Sequence, residues 1–173
     1  MNDLCTDIGY GSLNKYGEEL CGDHVDAVEQ GESSTVVVLA DGLGSGVKAN
    51  ILSTLTATIL GTMLSRGIPL DECISTVATT LPVCRQRKLA YSTFTVLQIE
   101  NSMAYLVQYC NPPVILLRQG RNVNYPHDIH FIGEKEILES HIPIATGDIL
   151  ILTSDGVANA GVGKLAPNGW QRG

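Results

Sequence analysis

The sequence predicts a mixed α+β domain whose sheets are mainly antiparallel. Short apolar runs of strand-like composition recur from the first residues to about position 154. Helical periodicity is confined to two adjacent stretches, about 46–65 and about 70–81. The later strand-like runs are separated by short polar breaks, Glu100-Asn101-Ser102 and Gln119-Gly120-Arg121, which read as hairpins and not as βαβ crossovers.

Taken in order, strands are expected at about 4–9, 34–41, 91–99, 103–109, 113–118, 121–125 and 148–154. The uncharged stretch from Ala49 to Ser65 is interrupted by Ser53, Thr54, Thr56, Thr58 and Thr62. That makes it too polar and slightly too short for a membrane span, so it is expected to be a core helix. Pro69, with Asp71 and Glu72 just after it, carries the chemistry of a helix start for the second stretch.

At 173 residues the chain is long enough for one domain with a real core, expected over 1–173. The formal charge is −7, and no basic tract is longer than Arg85-Gln86-Arg87-Lys88, which reads as a solvated loop. A nucleic-acid groove therefore has little support, whereas a carboxylate-rich chain suits metal cations. The five cysteines, Cys5, Cys21, Cys73, Cys84 and Cys110, are odd in number and contain no C-x-x-C pair. With no signal peptide ahead of them, they point to a reducing cytoplasm.

One stretch breaks the pattern of a buried strand. In "VVVLADGLGSGVKAN", residues 36–50, five apolar residues end on Asp41, followed by Gly42, Gly44 and Gly46. A P-loop fails here, because Val47-Lys48-Ala49 stands where Gly-Lys-Ser is required. A dinucleotide fingerprint fails too: Val47 replaces its last glycine, and Asp41 would repel a pyrophosphate. What remains is a carboxylate at a strand end, an unshielded glycine carbonyl and room for a ligand, which suit Mg2+ or Mn2+. "DILILTSDGVANA", residues 148–160, repeats the arrangement with Asp155-Gly156. Asp-Gly also closes hairpins, but after Asp41-Gly42 the chain enters a helix and no strand returns. "LCGDHVDAV" adds Asp23, with Asp26 in the same segment. Convergence of uncompensated carboxylates costs several kcal/mol unless a cation neutralises them.

Together, "LNKYGEELCGDHVDAV", "VVVLADGLGSGVKAN", "LAYSTFTVLQI", "YLVQYCNPPVILLRQG" and "GDILILTSDGV" resemble the metal-dependent PP2C-type protein phosphatases, in the bacterial SpoIIE, RsbU and RsbX branch. The resemblance covers nearly the whole chain, and "LNK-G", "CGD" and "ADGLGSG" with the following Ala-Asn pair look most like the RsbX members. It implies an α/β sandwich, two packed and mainly antiparallel sheets flanked by helices. It implies that Asp41 bridges two Mn2+ or Mg2+ ions, that the Gly42 carbonyl ligates one and that Asp155 ligates the other. Asp23 matches the acid of the family's Gly-Asp motif, and a role holding water beside the ligands is implied for it. The implied reaction is in-line attack on phosphoserine or phosphothreonine by a metal-activated water, with no phosphoenzyme. The implied partners are phosphorylated STAS-domain stressosome proteins of the RsbS and RsbR kind.

One departure from the family stands out: its terminal Asp-Asp-x-Thr strand has no counterpart before the chain stops at "APNGWQRG". The expectation is a domain without the final helix and strand, with weaker metal binding. A degenerate phosphatase that binds a phosphoprotein without hydrolysing it is the alternative. His127 and His130 in "HDIH" lack a third ligand nearby and read as a surface loop, and Cys21 reads as a small buried thiol. Cys110-Asn111-Pro112-Pro113 resembles the family's Gly-x-Pro-Pro turn, with a scaffold role.

Overall fold

The computed structural model describes residues 4–30, 34–80, 83–84, 89–90 and 92–162. In chain order the elements are β1 (Asp23–Gln30), β2 (Ser34–Gly42), α1 (Gly46–Ser65), α2 (Leu70–Thr80), β3 (Val83–Cys84), β4 (Leu89–Ala90), β5 (Ser92–Glu100), β6 (Met103–Tyr109), β7 (Ile115–Arg118), β8 (Arg121–Val123), β9 (Asp128–Ile132), β10 (Lys135–Pro143), β11 (Ile149–Ile151) and α3 (Asp155–Ala158). Six strands form one sheet in the order β1-β2-β5-β6-β10-β9, three form a second in the order β11-β7-β8, and β3 pairs with β4. Every strand pair among them is antiparallel.

Alternation along the strands sorts the side chains into two cores. Val36, Val38 and Ala40 of β2, with Phe94 and Val96 of β5, pack against Ala57, Leu60 and Leu64 of α1 and against Cys73, Ile74 and Val77 of α2. The opposite face of the same strands offers Val37, Leu97 and Ile99 to Leu116 and Leu150 of the second sheet and to Val114 just before it. The result is a helix layer, a six-stranded sheet and a three-stranded sheet, stacked in that order. The mainly antiparallel sandwich expected from the sequence is therefore the fold.

Most expected elements lie within two or three residues of their observed bounds, and β6 coincides with its expectation. Asn101 and Ser102 both take positive φ, 49° and 62°, as a two-residue primed hairpin turn requires, and Gln119 and Gly120 do the same at 52° and 72°. The strand expected at about 4–9 is absent: these residues have no regular structure and are mostly exposed. Five strands go beyond the expected set, the two-residue β3 and β4 and the longer β1, β9 and β10. β1 is broken in composition by Asp23, Asp26 and Glu29, and β9 and β10 carry histidines and glutamates among their apolar residues. Pairing inside the sheet supplies what their local composition does not.

α1 spans Gly46–Ser65, as its periodicity predicts, and at 20 residues it is apolar enough by length and composition to cross a bilayer. Here it lies on the sheet, with Ala49, Ser53, Thr56, Ala57, Leu60, Gly61 and Leu64 buried. The buried hydroxyls are satisfied within the helix, Thr56 Oγ1 donating to the Leu52 carbonyl at 2.8 Å and Ser53 Oγ to the Asn50 carbonyl at 3.0 Å.

Candidate metal centre

β1 and β2 pair so that Asp23 stands directly opposite Asp41, and Asp41 in turn stands opposite Thr93 of β5. Because Val37 of β2 faces the second sheet, alternation turns Asp41 to that side as well. Asp26 does not join them. Strand parity sends it to the helix side, where its carboxylate lies against Gly61 of α1, 2.8 Å from the site of an added Cβ. The expected convergence therefore holds for Asp23 and fails for Asp26.

The fourth side of the cluster comes from the end of β11. Ser154 stands at the N-cap of α3, yet its hydroxyl makes no cap bond; it donates to Asp23 Oδ2 at 2.7 Å. The next residue, Asp155, donates its backbone N–H to Asp41 Oδ2 at 3.4 Å. Like Asp41-Gly42, then, Asp155-Gly156 leads from a strand into a helix and closes no hairpin. The approach of β11 is fixed by Arg118 of β7, whose Nε and Nη2 both reach Asp148, at 2.9 and 2.6 Å, while Nη2 also donates to the Pro143 carbonyl at 2.8 Å.

Gly42 is dictated by packing. A Cβ there would lie 2.0 Å from the Ala49 carbonyl oxygen, so the first turn of α1 can rest on the strand end only if residue 42 has no side chain. The Gly42 N–H donates to the Gly22 carbonyl at 3.1 Å, and Asn50 Nδ2 donates to the Cys21 carbonyl at 2.9 Å. These bonds give the Ala49-Asn50 pair its role: it clamps the Cys21-Gly22-Asp23 segment onto the turn after Asp41. Cys21 is half-buried, and its Sγ accepts from the Asp23 N–H at 3.4 Å.

Three residues not assigned to the site from the sequence complete it. Ser154 is one. Asn111 is another: it accepts from Thr93 Oγ1 at 2.5 Å, and its Nδ2 donates to Thr95 Oγ1 at 3.1 Å and to the Leu39 carbonyl at 3.5 Å, so the Cys110-Asn111-Pro112-Pro113 turn braces the sheet beside Asp41. The third is Glu18, which accepts from Ser45 Oγ at 3.0 Å and places its carboxylate at the N-terminus of α1. The letters before "CGD" gave no sign of Glu18, because the bond spans 27 residues and depends on the β1-β2 hairpin between its partners.

Electrostatics at this seam are unfavourable without a cation. Burial, then the charges of Asp23 and Asp155, then hydrogen bonding with the Asp23 carboxyl push the Asp41 pKa up to about 8, against a smaller lowering by the Asp155 N–H. Neither ion pair among the described residues, Arg118 with Asp148 or His130 with Glu139, supplies a counter-charge. The donor set therefore fits a hard divalent ion: the carboxylates of Asp41 and Asp155 and the Gly42 carbonyl would hold it. Among the described residues no three His, Cys, Asp or Glu side chains already form a closed ligand group, so water would complete the coordination. An open cleft of about 1030 Å3 between the two sheets ends at Asp155; apolar side chains such as Pro112, Pro113 and Leu138 line it together with the polar groups of Gln108, Asn111 and Asn159.

The SpoIIE family model, described as Stage II sporulation protein E, matches residues 31–172. The chain belongs to the SpoIIE family. It is 25% identical over 150 residues to the stage II sporulation protein E of Bacillus subtilis, covering 83% of this chain and 18% of that protein. The SpoIIE-family fold is matched by the structure of the PP2C phosphatase domain of Bacillus subtilis SpoIIE with a fragment of its regulatory domain, at a TM-score of 0.73 and 24% identity over 86% of this chain and 45% of that one. RsbX in complex with magnesium aligns at a TM-score of 0.65 and 22% identity, over 84% of this chain and 71% of that one. The RsbU and RsbW domains of a Mycobacterium tuberculosis protein align at 0.69 and 19%, over 90% and 44%. At these identities the structural matches establish the fold, a PP2C-type sandwich.

His130 lies on β9 and not in a loop, 3.4 Å from Glu139, while His127 lies in the irregular segment before it. Arg85 to Lys88 and "APNGWQRG" lie outside the described residues.

Proposed function

We propose that this SpoIIE-family chain is a metal-dependent phosphoserine/phosphothreonine protein phosphatase with cytoplasmic, RsbX-like substrates, namely phosphorylated STAS-domain proteins of a stressosome-type assembly. The observation that carries the reading is the meeting of Asp41, Asp23 and Asp155 at one sandwich seam, with no basic side chain paired to any of them among the described residues. Buried like charges destabilise a fold, and a binding site for divalent cations is the use that compensates for them. When bound, Mn2+ or Mg2+ activates a water for attack on phosphorus.

The chain's own groups have separate parts in that reaction. Asp41 and Asp155 would hold the divalent ions, and Gly42 would offer its carbonyl because α1 leaves no space for a side chain. Asp23, bonded to Ser154 and standing opposite Asp41, is placed to orient water beside the ligands. Support for stressosome-type substrates comes from the likeness to RsbX and to a solved structure titled "The bacterial stressosome: a modular system that has been adapted to control secondary messenger signaling", which aligns at a TM-score of 0.63.

The second reading, a phosphoprotein-binding module without turnover, draws on the absence of a closed ligand group among the described residues. Release of inorganic phosphate from a serine-phosphorylated STAS-domain protein separates the two. Mn2+- or Mg2+-dependent release that stops with chelator supports the phosphatase; retention of the phosphoprotein with no release at any metal concentration supports the binding module.

A further inference from the structure

The six-stranded sheet has two edges, β1 and β9, and they are guarded very differently. β1 carries Asp23, Asp26 and Glu29, acids that oppose pairing with a second copy. β9 reads Asp128-Ile129-His130-Phe131-Ile132, with no lysine, no proline and an unbroken register against β10. Ile129 and Phe131, which share one face of the strand, are 52% and 68% exposed.

The hairpin fixes which backbone groups this edge offers. β9 joins β10 through Gly133-Glu134, with Gly133 at φ +62° as a primed turn requires. In a two-residue hairpin the closing pair, Ile132 and Lys135, is hydrogen-bonded. Alternation then turns the N–H and C=O groups of Asp128, His130 and Ile132 towards β10, and those of Ile129 and Phe131 outward.

A second copy of this strand is the complement. Running antiparallel about a two-fold axis through His130, it sets Ile129 opposite the second copy's Phe131 and Phe131 opposite its Ile129. All four outward groups in each strand then pair, and both side-chain pairs are aromatic with β-branched, a favourable cross-strand combination. Asp128 meets Ile132 of the other copy, so no two carboxylates oppose each other. Each His130 keeps Glu139 of its own chain 3.4 Å away.

We propose that the protein forms an isologous homodimer through β9, joining two six-stranded sheets into one of twelve. The Asp41 sites, on β2 near the far ends, are then nine strand spacings apart, roughly 43 Å at about 4.8 Å each, so both remain open. A five-residue strand pair buries less than the roughly 1,200 Å2 of a stable complex, so the dimer dissociates on dilution.

Analytical ultracentrifugation of the full chain over a concentration series should show a monomer–dimer equilibrium. Phe131→Lys should weaken it at least tenfold without moving the melting temperature by more than a degree or two. Ile149→Lys, on β11 at the edge of the second sheet among the described residues, should leave it unchanged. His130→Cys tests the register: residue 130 faces its own copy in a non-hydrogen-bonded pair with Cα atoms about 4.5 Å apart, inside the disulfide range, so mild oxidation of this variant should yield a peptide cross-linked to its own copy through position 130. A monomer at every concentration overturns the proposal, as does a dimer that Ile149→Lys dissolves and Phe131→Lys does not. A β9 dimer in which the His130→Cys variant forms no such cross-link overturns the two-fold register.

Discussion

The backbone N–H of Asp155 donates to Oδ2 of Asp41 across 3.4 Å, joining two strand ends that lie 114 residues apart in the chain. One residue earlier, Ser154 is bonded to Asp23, which stands opposite Asp41 in the sheet. The acids are thus held by the fold itself, and their mutual repulsion is built into it.

Asp41→Asn should abolish Mn2+-dependent phosphatase activity and divalent binding, while the metal-free variant melts higher than wild type at pH 8. Removing the charge relieves the desolvation and the repulsion from Asp23 and Asp155 together. Calorimetry in chelator tests the second half; a variant that melts lower than wild type would contradict the electrostatic account.

The pH dependence has a definite sign. In the unfolded chain Asp41 titrates at the ordinary 3.8, and in the metal-free fold at about 8, so the native state binds the extra proton between those values. Its contribution to stability is full below 3.8 and is lost as pH rises to about 8. Metal binding must displace that proton, so the Mn2+ concentration giving half activity should fall as pH rises towards 8. Isothermal titration in buffers of different ionisation enthalpy should register the released proton near neutral pH.

Ser154→Ala removes the hydroxyl that holds Asp23. Loss of a group that orients a metal site in this indirect way commonly costs about 10–100-fold in affinity or activity, and a loss in that range is expected here. Metal titrations followed by activity measure it, and Ser154→Thr, which retains a hydroxyl, should recover part.

Gly42→Ala is expected to cost about 3 kcal/mol or more, because the new Cβ meets the Ala49 carbonyl, which is helix backbone and cannot rotate away. Urea denaturation in chelator separates this packing cost from any loss of metal. Gly44→Ala also introduces strain, since Gly44 sits at φ +105°, but its added Cβ meets nothing within 4 Å, so it should be the milder of the two.

The apolar run Val36 to Ala40 could be read as a buried strand because both of its faces are covered, one by α1 and the other by the second sheet. The hairpins after Glu100 and Arg118 were legible because their turn residues take positive φ where the polar breaks fell. β1, β9 and β10 were not legible: their acids and histidines interrupt the apolar alternation that marks a strand, and only their pairing in the sheet holds them extended. Residues 4–9 erred the other way, with an apolar pattern and no partner strand among the described residues.

What the sequence determined by itself was a strand that ends on Asp41 without turning back, an echo of it at Asp155, and an acidic balance of formal charge −7. Local composition suffices for these, since each depends on neighbours within a few residues. Tertiary structure alone decided that Asp23 faces the seam while Asp26 faces α1, and that Ser154, Asn111 and Glu18 brace the cluster. The reason is parity and distance: one residue of strand register reverses a side chain's face, and bonds spanning 27, 72 and 131 residues leave no trace in any local window.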